Sequence, residues 1–506
     1  MSVEPVTKVL IVGGGTAGWM TASALSKLLG AQVQLTLVES DDIGIIGVGE
    51  ATIPHIKAHN TLVGINEVEF VRETQGTFKL GIEFVDWGKK GDAYIHGFGT
   101  LGYDVDTHPF HHFWTRARLK GIGGDLSRYS FNVLACRANK FMATPVDAPK
   151  NSPLADIAYA YHFDASLYAR YLRNLSERAG VRRIEGKVVE VIQNPENGFV
   201  TSVKLASGEA LSADFFIDCS GFKGLLIAEA LKSPYRDWTQ WLPCDRAMAV
   251  PCSNVEPPVP YTRSTAKSAG WQWRIPLQHR VGNGYVYSSA FISDDDVHKE
   301  LLAGLDGKPL AEPRKIPFTA GFRPEPWRKN VVAIGLSAGF LEPLESTAIH
   351  LIQIGIAKLA LSFPRKDMSP HLQALYNKQI TFEFENIRDF LILHYRASTR
   401  DDTPFWAHCR TMQIPGSLQE TMDLFRESAR IYPKSGDLFS VPSWVQVMIG
   451  QGIIPEDFPP VINTFPEKDL EPFLNQVETV IQSNIKVMPS HEQFIDRFCR
   501  AQADTR

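Results

Sequence analysis

The sequence predicts an α/β protein: a doubly wound sheet over much of its first 365 residues, and a second, mainly helical part. Three observations predict it. A strand–turn–helix–strand unit stands at the extreme N-terminus. Short β-branched runs recur near residues 182–218 and 331–334. From Met368 onward the apolar spacing is that of helices.

The elements follow in order. Lys8–Val12 (KVLIV) is a short buried strand, Gly13–Gly18 a turn, and Trp19–Leu29 a helix stopped by Gly30, with Val33–Val38 as the next strand. Tyr94–Trp114 is rich in aromatic residues and histidine, while Gly121–Asp125 and Met142–Pro153 carry loop composition. Ala165–Ala179 reads as a helix. Arg182–Val191 and Phe199–Leu205 read as strands around a turn at Asn194–Asn197, and Phe215–Asp218 as another strand. Val331–Ile334 is a further buried strand, and Ile349–Leu361 a strongly apolar helix.

Composition sets the limits. The 506 residues are 44% hydrophobic and 21% charged, enough for a large core and against global disorder. A net charge of -4 gives no general attraction to nucleic acid or to anionic membrane. Met1–Val6 is not the basic start of a secretory signal, and no apolar run approaches the roughly 18 residues of a membrane span. None of the six cysteines forms a C-x-x-C pair, so reduced thiols in a cytoplasmic protein are expected.

Gly13, Gly15 and Gly18 satisfy G-x-G-x-x-G between a strand and a helix, with Thr16 and Ala17 inside the turn. Gly13 permits the turn, Gly15 admits a pyrophosphate, and Gly18 lets helix and strand pack closely. Free N–H groups at the helix start suit phosphate. Glu39 ends the second strand, where an acid accepts hydrogen bonds from ribose hydroxyls. A glycine turn in an ordinary α/β protein is the plain alternative. His108, His111 and His112 have no zinc-site spacing, so no metal is expected.

Two later segments turn the dinucleotide from NAD towards FAD. Asp214–Gly221 (DFFIDCSG) resembles the strand-then-glycine segment of FAD-dependent aromatic hydroxylases. Asn330–Leu336 (NVVAIGL) resembles their second flavin-contacting strand, with Leu336 where Asp is usual. No second G-x-G-x-x-G follows a strand, so reducing equivalents come from elsewhere. The segments assigned to the FAD-binding domain are 1–100, 155–235 and 318–365. The substrate domain takes 101–154, 236–317 and 366–506.

Five motifs carry a more specific resemblance. They are Gly13–Trp19 (GGGTAGW), Gly47–Pro54 (GVGEATIP), Gly76–Phe84 (GTFKLGIEF), Trp271–Pro276 (WQWRIP) and Phe340–Thr347 (FLEPLEST). Together they resemble the flavin-dependent tryptophan halogenases. The resemblance implies FAD, supplied as FADH2 by a separate flavin reductase, and a halide ion, bromide or chloride. Reduced flavin and O2 oxidise halide to hypohalous acid, which halogenates an electron-rich aromatic ring. By position in these motifs Lys79 is the catalytic lysine and Glu345 the catalytic glutamate, which orients the oxidant or takes the ring proton. Thr347 and Ala348 offer backbone N–H groups to halide, and Glu50 and Ala51 join the cofactor site. Many members have Gly at the position of Ala348, so its methyl bears on halide preference.

His96-Gly97-Phe98-Gly99 resembles the His-x-Phe-Gly element that flanks the substrate ring, and aromatic packing is its plain alternative. Trp271 and Trp273 read as core packing that also shields the flavin, without a chemical role. Members acting on free tryptophan carry a tyrosine pair and a glutamate near the C-terminus. Ser443–Gln451 (SWVQVMIGQ) has neither, and leaves Trp444 as one aromatic wall. The implied substrate is an indole, an indole derivative or peptide-linked tryptophan, and a homodimer is possible, as is common in the family. An FAD-dependent aromatic monooxygenase is the alternative enzyme, with halide-independent oxygenation as its mark.

Overall fold

The computed structural model describes residues 4–42, 49–145, 147–148 and 152–502. Gly47 and Val48 of the GVGEATIP motif, Met1–Val3 of the N-terminal stretch, and part of the Met142–Pro153 loop lie outside them.

A six-stranded sheet forms the centre of the first unit. Lys8–Val12 lies between Phe215–Asp218 and Gln34–Glu39, parallel to both; Val331–Ala333 and Arg182–Glu185 extend the parallel sheet on either side. Its strands alternate between two cores, as the period of two requires. Val9, Ile11, Leu35, Leu37, Phe215 and Ile217 face one, against helices that include Thr16–Leu29 and Ala348–Leu361. Leu10, Val12, Val38 and Phe216 face the other, against Val200, Val203 and Leu205 of a three-stranded antiparallel sheet. A parallel sheet covered on both faces explains the uninterrupted apolar run KVLIV.

The stretch read as one strand, Arg182–Val191, is two. Arg182–Glu185 stays in the parallel sheet and Val188–Gln193 enters the antiparallel one. The chain changes sheet at Gly186, whose N–H donates to the Glu39 carbonyl at 2.7 Å.

The second unit is less helical than expected. Residues 101–154 and 366–506 do carry helices, the longest being Pro370–Arg396. Residues 236–317 instead supply Arg246–Cys252, Tyr261–Ala266, Gly270–Pro276, Val281–Tyr287 and Arg314–Pro317 to a seven-stranded sheet. Gly81–Val85 and Ala93–Gly97 complete that sheet, so the chain just after Lys79 is built into it. Aromatic and β-branched residues such as those of Val281–Tyr287 (VGNGYVY) favour a pleated surface, and all seven there are buried.

A small sheet bridges the two units. Ala160–Asp164 is its middle strand, flanked by Gly49–Ala51 and Thr77–Lys79. All six cysteines are free and buried. Among the described residues no helix is long and apolar enough to cross a membrane.

Candidate functional site

The nucleotide motif sits at the carboxyl ends of the parallel strands, where open α/β sheets bind ligands. Gly13 has φ +113°, and a Cβ there would run into the Cys219 carbonyl. A Cβ on Gly18 would strike the Gly13 carbonyl oxygen. Gly15 is different: a Cβ there would meet no atom within 4 Å. Fold geometry therefore requires glycine at 13 and 18, while at 15 it leaves space beside the start of helix Thr16–Leu29. Such a space fits the pyrophosphate of FAD. Gly335, with φ +81°, brings the Leu336 turn against Ala17, 2.8 Å from where its Cβ would stand. Leu336 is half-buried there. Glu39 lies over Gly14, holding Arg183 Nε at 2.6 Å and Trp19 Nε1 at 3.3 Å. Glu50 and Ala51 occupy the bridging sheet, and burial pushes the Glu50 carboxyl up to about 7.

Lys79 ends the other outer strand of that sheet and is wholly buried. Its ammonium donates to the Thr52 carbonyl at 3.0 Å and to Ser346 Oγ at 2.7 Å. Two of three donors are thus engaged, both on neutral oxygens. Burial pushes its pKa down to about 7, against the opposing pull of Glu345 and Cys136. Phe98 lies close by, with the Lys79 Nζ 5.2 Å from its ring centroid.

The FLEPLEST segment forms the facing wall. Pro343–Glu345 makes a short turn of 3-10 helix, Ser346 takes a left-handed φ of 59°, and helix Ala348–Leu361 follows from Thr347. A non-glycine residue held at positive φ stores strain, and such strain gathers at functional sites. The first turn of the helix leaves its N–H groups without intrahelical acceptors. Thr347 is fully buried, with its hydroxyl unpartnered among the described residues, and Ala348 is half-buried. This is a setting suited to a small anion.

Glu345 is buried between two histidines. His96 Nδ1 stands 3.1 and 3.0 Å from its two oxygens, and His394 Nε2 stands 2.9 Å from Oε1. Burial alone would raise the carboxyl, but these histidines outweigh it and hold it at about 2. His394 comes from helix Pro370–Arg396, where its Nδ1 faces the Phe390 carbonyl at 2.8 Å.

Aromatic rings continue outward from His96. Phe390 is 5.8 Å from it, with Phe439 stacked on Phe390 at 3.8 Å and Trp444 edge-on at 4.8 Å. Trp444 belongs to helix Val441–Gly450, which Gln446 clamps to the strand beneath. The Gln446 amide accepts from Gly97 N–H at 3.1 Å and donates to Gly97 O at 3.0 Å.

Trp271 does more than pack. Its Nε1 donates to Glu342 Oε2 at 2.9 Å, and Tyr395 OH donates to the same oxygen at 2.5 Å. Burial pushes the Glu342 carboxyl up to about 7. The W-x-W-x-I-P strand is thus bonded to the loop that carries Glu345. His111 and His112 are buried side by side, and His111 Nε2 is engaged by the Ala429 carbonyl at 2.9 Å.

The structure therefore gathers Lys79, Glu345, Thr347, Ala348, His96 and Phe98 around one bridging sheet, with Trp444 two rings away. Sequence reasoning missed His394, Ser346, Gln446 and Glu342. Ser346 and Glu342 lie inside a motif already singled out; His394 carries no local signal.

Residues 8–467 match the tryptophan halogenase family. The chain belongs to that family. It is 33% identical to the tryptophan 7-halogenase RebH of Lentzea aerocolonigenes, over 97% of this chain and 98% of RebH. Among solved structures it is similar to Xcc4156, a flavin-dependent halogenase from Xanthomonas campestris. Identity there is 45% and the TM-score 0.95, covering 99% of both chains. It is also similar to BrvH, a flavin-dependent halogenase from Brevundimonas sp. BAL3, with 42% identity and a TM-score of 0.93, over 97% of this chain and 99% of BrvH. As a tryptophan halogenase family member the chain is an oxidoreductase that uses halide and FADH2 from a separate flavin reductase, and acts on an aromatic substrate.

Proposed function

We propose that this halogenase acts on an indole other than free tryptophan, with Lys79 and Glu345 as its catalytic residues. The observation that carries the reading is the Lys79 ammonium, fully buried yet bonded, among the described residues, only to the Thr52 carbonyl and the Ser346 hydroxyl. Its remaining N–H donor is available to polarise hypohalous acid. At a pKa of about 7 it holds or releases that proton near neutrality.

The flavin, bound in its reduced form, would supply the electrons that activate O2 for halide oxidation. The chain holds it through Gly13–Gly18, Glu39, Glu50, Ala51 and Leu336, in an FAD-binding fold of the aromatic-hydroxylase type. The segments 1–100, 155–235 and 318–365 form that side, and the remainder forms the substrate side. Thr347 and Ala348 hold halide through their backbone N–H groups. The buried loop around Ser346 and Glu345 keeps water from the oxidant. Glu345, ionised at neutral pH, supplies the negative charge that balances the proton leaving the ring. His96, Phe98 and Trp444 border the ring.

An indole suits the aromatic lining, and the absence of a tyrosine pair from Ser443–Gln451 argues against free tryptophan. The test is product mass spectrometry. Indole and tryptophan are each incubated with the protein, a flavin reductase, FAD, NADH and either bromide or chloride, beside Lys79→Ala. Halogenated indole from the wild type alone is expected. Oxygenated product without halogen would replace this reading with a monooxygenase.

A further inference from the structure

We propose that the cleft beside Trp444 is a subsite for an ammonium group, and that the substrate is an indole whose side chain carries an amine and no carboxylate. This rests on the halogenase reading above and narrows its substrate class.

The cleft encloses about 480 Å³ and is partly open to solvent. Helix Pro370–Arg396 gives one wall, helix Gly416–Ser428 another, and residues 431–439 a third. Phe439 and Trp444 line it, and both rings also touch Phe390, at 3.8 and 4.8 Å between centroids. Phe390 in turn stands 5.8 Å from His96. One aromatic wall therefore serves both the cleft and the region proposed for the substrate ring.

The polar lining has few hydrogens left to donate. Ser417 Oγ donates to Asp389 Oδ2 at 2.6 Å, and Thr421 Oγ1 donates to the Ser417 carbonyl at 2.9 Å. Asn386 Nδ2 donates to Asp437 Oδ1 at 2.9 Å. Each hydroxyl has a single hydrogen and has given it to a neighbour. The side chains thus offer the cleft mostly lone pairs, from two carboxylates and two hydroxyls. The donors that remain are one Asn386 amide hydrogen and, at the exposed rim, Tyr432 and Lys434.

The two carboxylates differ in what balances them. Asp389 is 8% exposed and ion-paired with Arg388 at 2.7 Å. Among the described residues Asp437 is bonded to neutral donors only, the Asn386 amide and the Lys434 backbone N–H at 2.5 Å. Burial raises its carboxyl, Lys434 pulls it back, and Glu383 adds to the rise. A cation in the cleft would balance this half-buried charge. The rings of Tyr432, Phe439 and Trp444 suit the same guest, since an aromatic face attracts an ammonium. A carboxylate there would face Asp389 and Asp437, a like-charge approach that costs affinity. Free tryptophan brings both groups, whereas an aminoalkyl indole brings only the favoured one.

The experiment uses two indoles of equal side-chain length and opposite charge, tryptamine and indole-3-propionate. Each is titrated calorimetrically into the full chain, as wild type, Asp437→Asn and Lys434→Glu. Tryptamine should bind the wild type about tenfold more tightly than its acid counterpart. The isosteric Asp437→Asn should remove most of that preference. Lys434→Glu alters an exposed rim residue and should widen the preference about threefold. It decides the matter alone if Asp437→Asn does not fold. Bromination is then compared for tryptamine and indole, with flavin reductase, FAD, NADH and bromide. The ratio of their kcat/KM values should favour tryptamine in the wild type and fall in Asp437→Asn. Equal binding of the two ligands, or a preference that both variants leave unchanged, would overturn the subsite; halogenated indole in that case keeps the functional reading. No halogenated product from either substrate would overturn the functional reading, and the titrations would still decide the subsite.

Discussion

Lys79 Nζ donates to Ser346 Oγ across 2.7 Å, joining residues 267 positions apart in the chain. The bond fastens the buried ammonium to the one strained residue between Glu345 and the helix start at Thr347. An ammonium removed from water is held there at a cost, which the fold tolerates for chemistry.

Lys79→Met should therefore abolish halogenation and stabilise the protein. Folding buries a group whose pKa falls to about 7 from a model-peptide value near 10.4. Below pH 7 the charged form is buried in the folded state and the penalty is full. Between about 7 and 10.4 the unfolded chain binds the extra proton, so the penalty fades as pH rises. Removing the charge should raise stability by roughly 1–3 kcal/mol at pH 6. Denaturant titration at pH 6 and pH 9 checks this, with the larger gain expected at pH 6.

Gly15→Ala should separate cofactor binding from folding. Its Cβ enters open space, so the thermal midpoint should stay close to that of the wild type. FAD binding should weaken by about tenfold or more, or ~1.4 kcal/mol. Gly18→Ala should instead lose stability outright, since its Cβ meets the Gly13 carbonyl. Flavin fluorescence titration beside thermal melts distinguishes the two.

Glu342→Gln should be mild where Glu342→Ala is not. Glutamine still offers an oxygen to Trp271 Nε1 and Tyr395 OH, whereas alanine leaves the Trp271 donor unpaired, at about 1–3 kcal/mol, and Tyr395 OH with Cys244 Sγ alone. The carboxyl is raised to about 7, so the folded state holds a proton that the unfolded chain releases above about pH 4.5. Its contribution to stability is full below 4.5 and falls as pH rises towards 7. The glutamine variant should lose that part of the slope in stability measured from pH 5 to 8.

Gln446→Leu should act on the substrate side alone. It leaves the Gly97 N–H and carbonyl without their amide partner and loosens helix Val441–Gly450, on which Trp444 rides. KM for indole should rise about tenfold, while FAD affinity is retained. Steady-state kinetics with varied indole, beside FAD titration, checks both.

Much of this was legible in the chain because it is local. The glycine turn and KVLIV are local patterns, and the motifs GTFKLGIEF and FLEPLEST, which carry Lys79 and Glu345, each stand out within ten residues. What escaped depends on distant partners. Nothing near His394 says that it will face Glu345, because a helix 27 residues long sets its position. Trp271 reads as packing until Glu342 is found 71 positions away. The strands Arg246–Cys252 and Val281–Tyr287 escaped for another reason. Their side chains are buried on a wide antiparallel sheet, so the polar alternation that marks a half-exposed strand is weak.

The bridging sheet has a consequence for how such an enzyme changes over evolutionary time. Glu50 and Lys79 sit on strands that share Ala160–Asp164 as a common neighbour, so backbone hydrogen bonds set the span between these two residues. That span resists drift, since altering it means breaking a ladder. The Trp444 helix is clamped to Gly97 by a single side chain. New aromatic substrates can thus be sampled on one flank while the spacing of Glu50 and Lys79 stays constant, a division between an inherited engine and an interchangeable mouth.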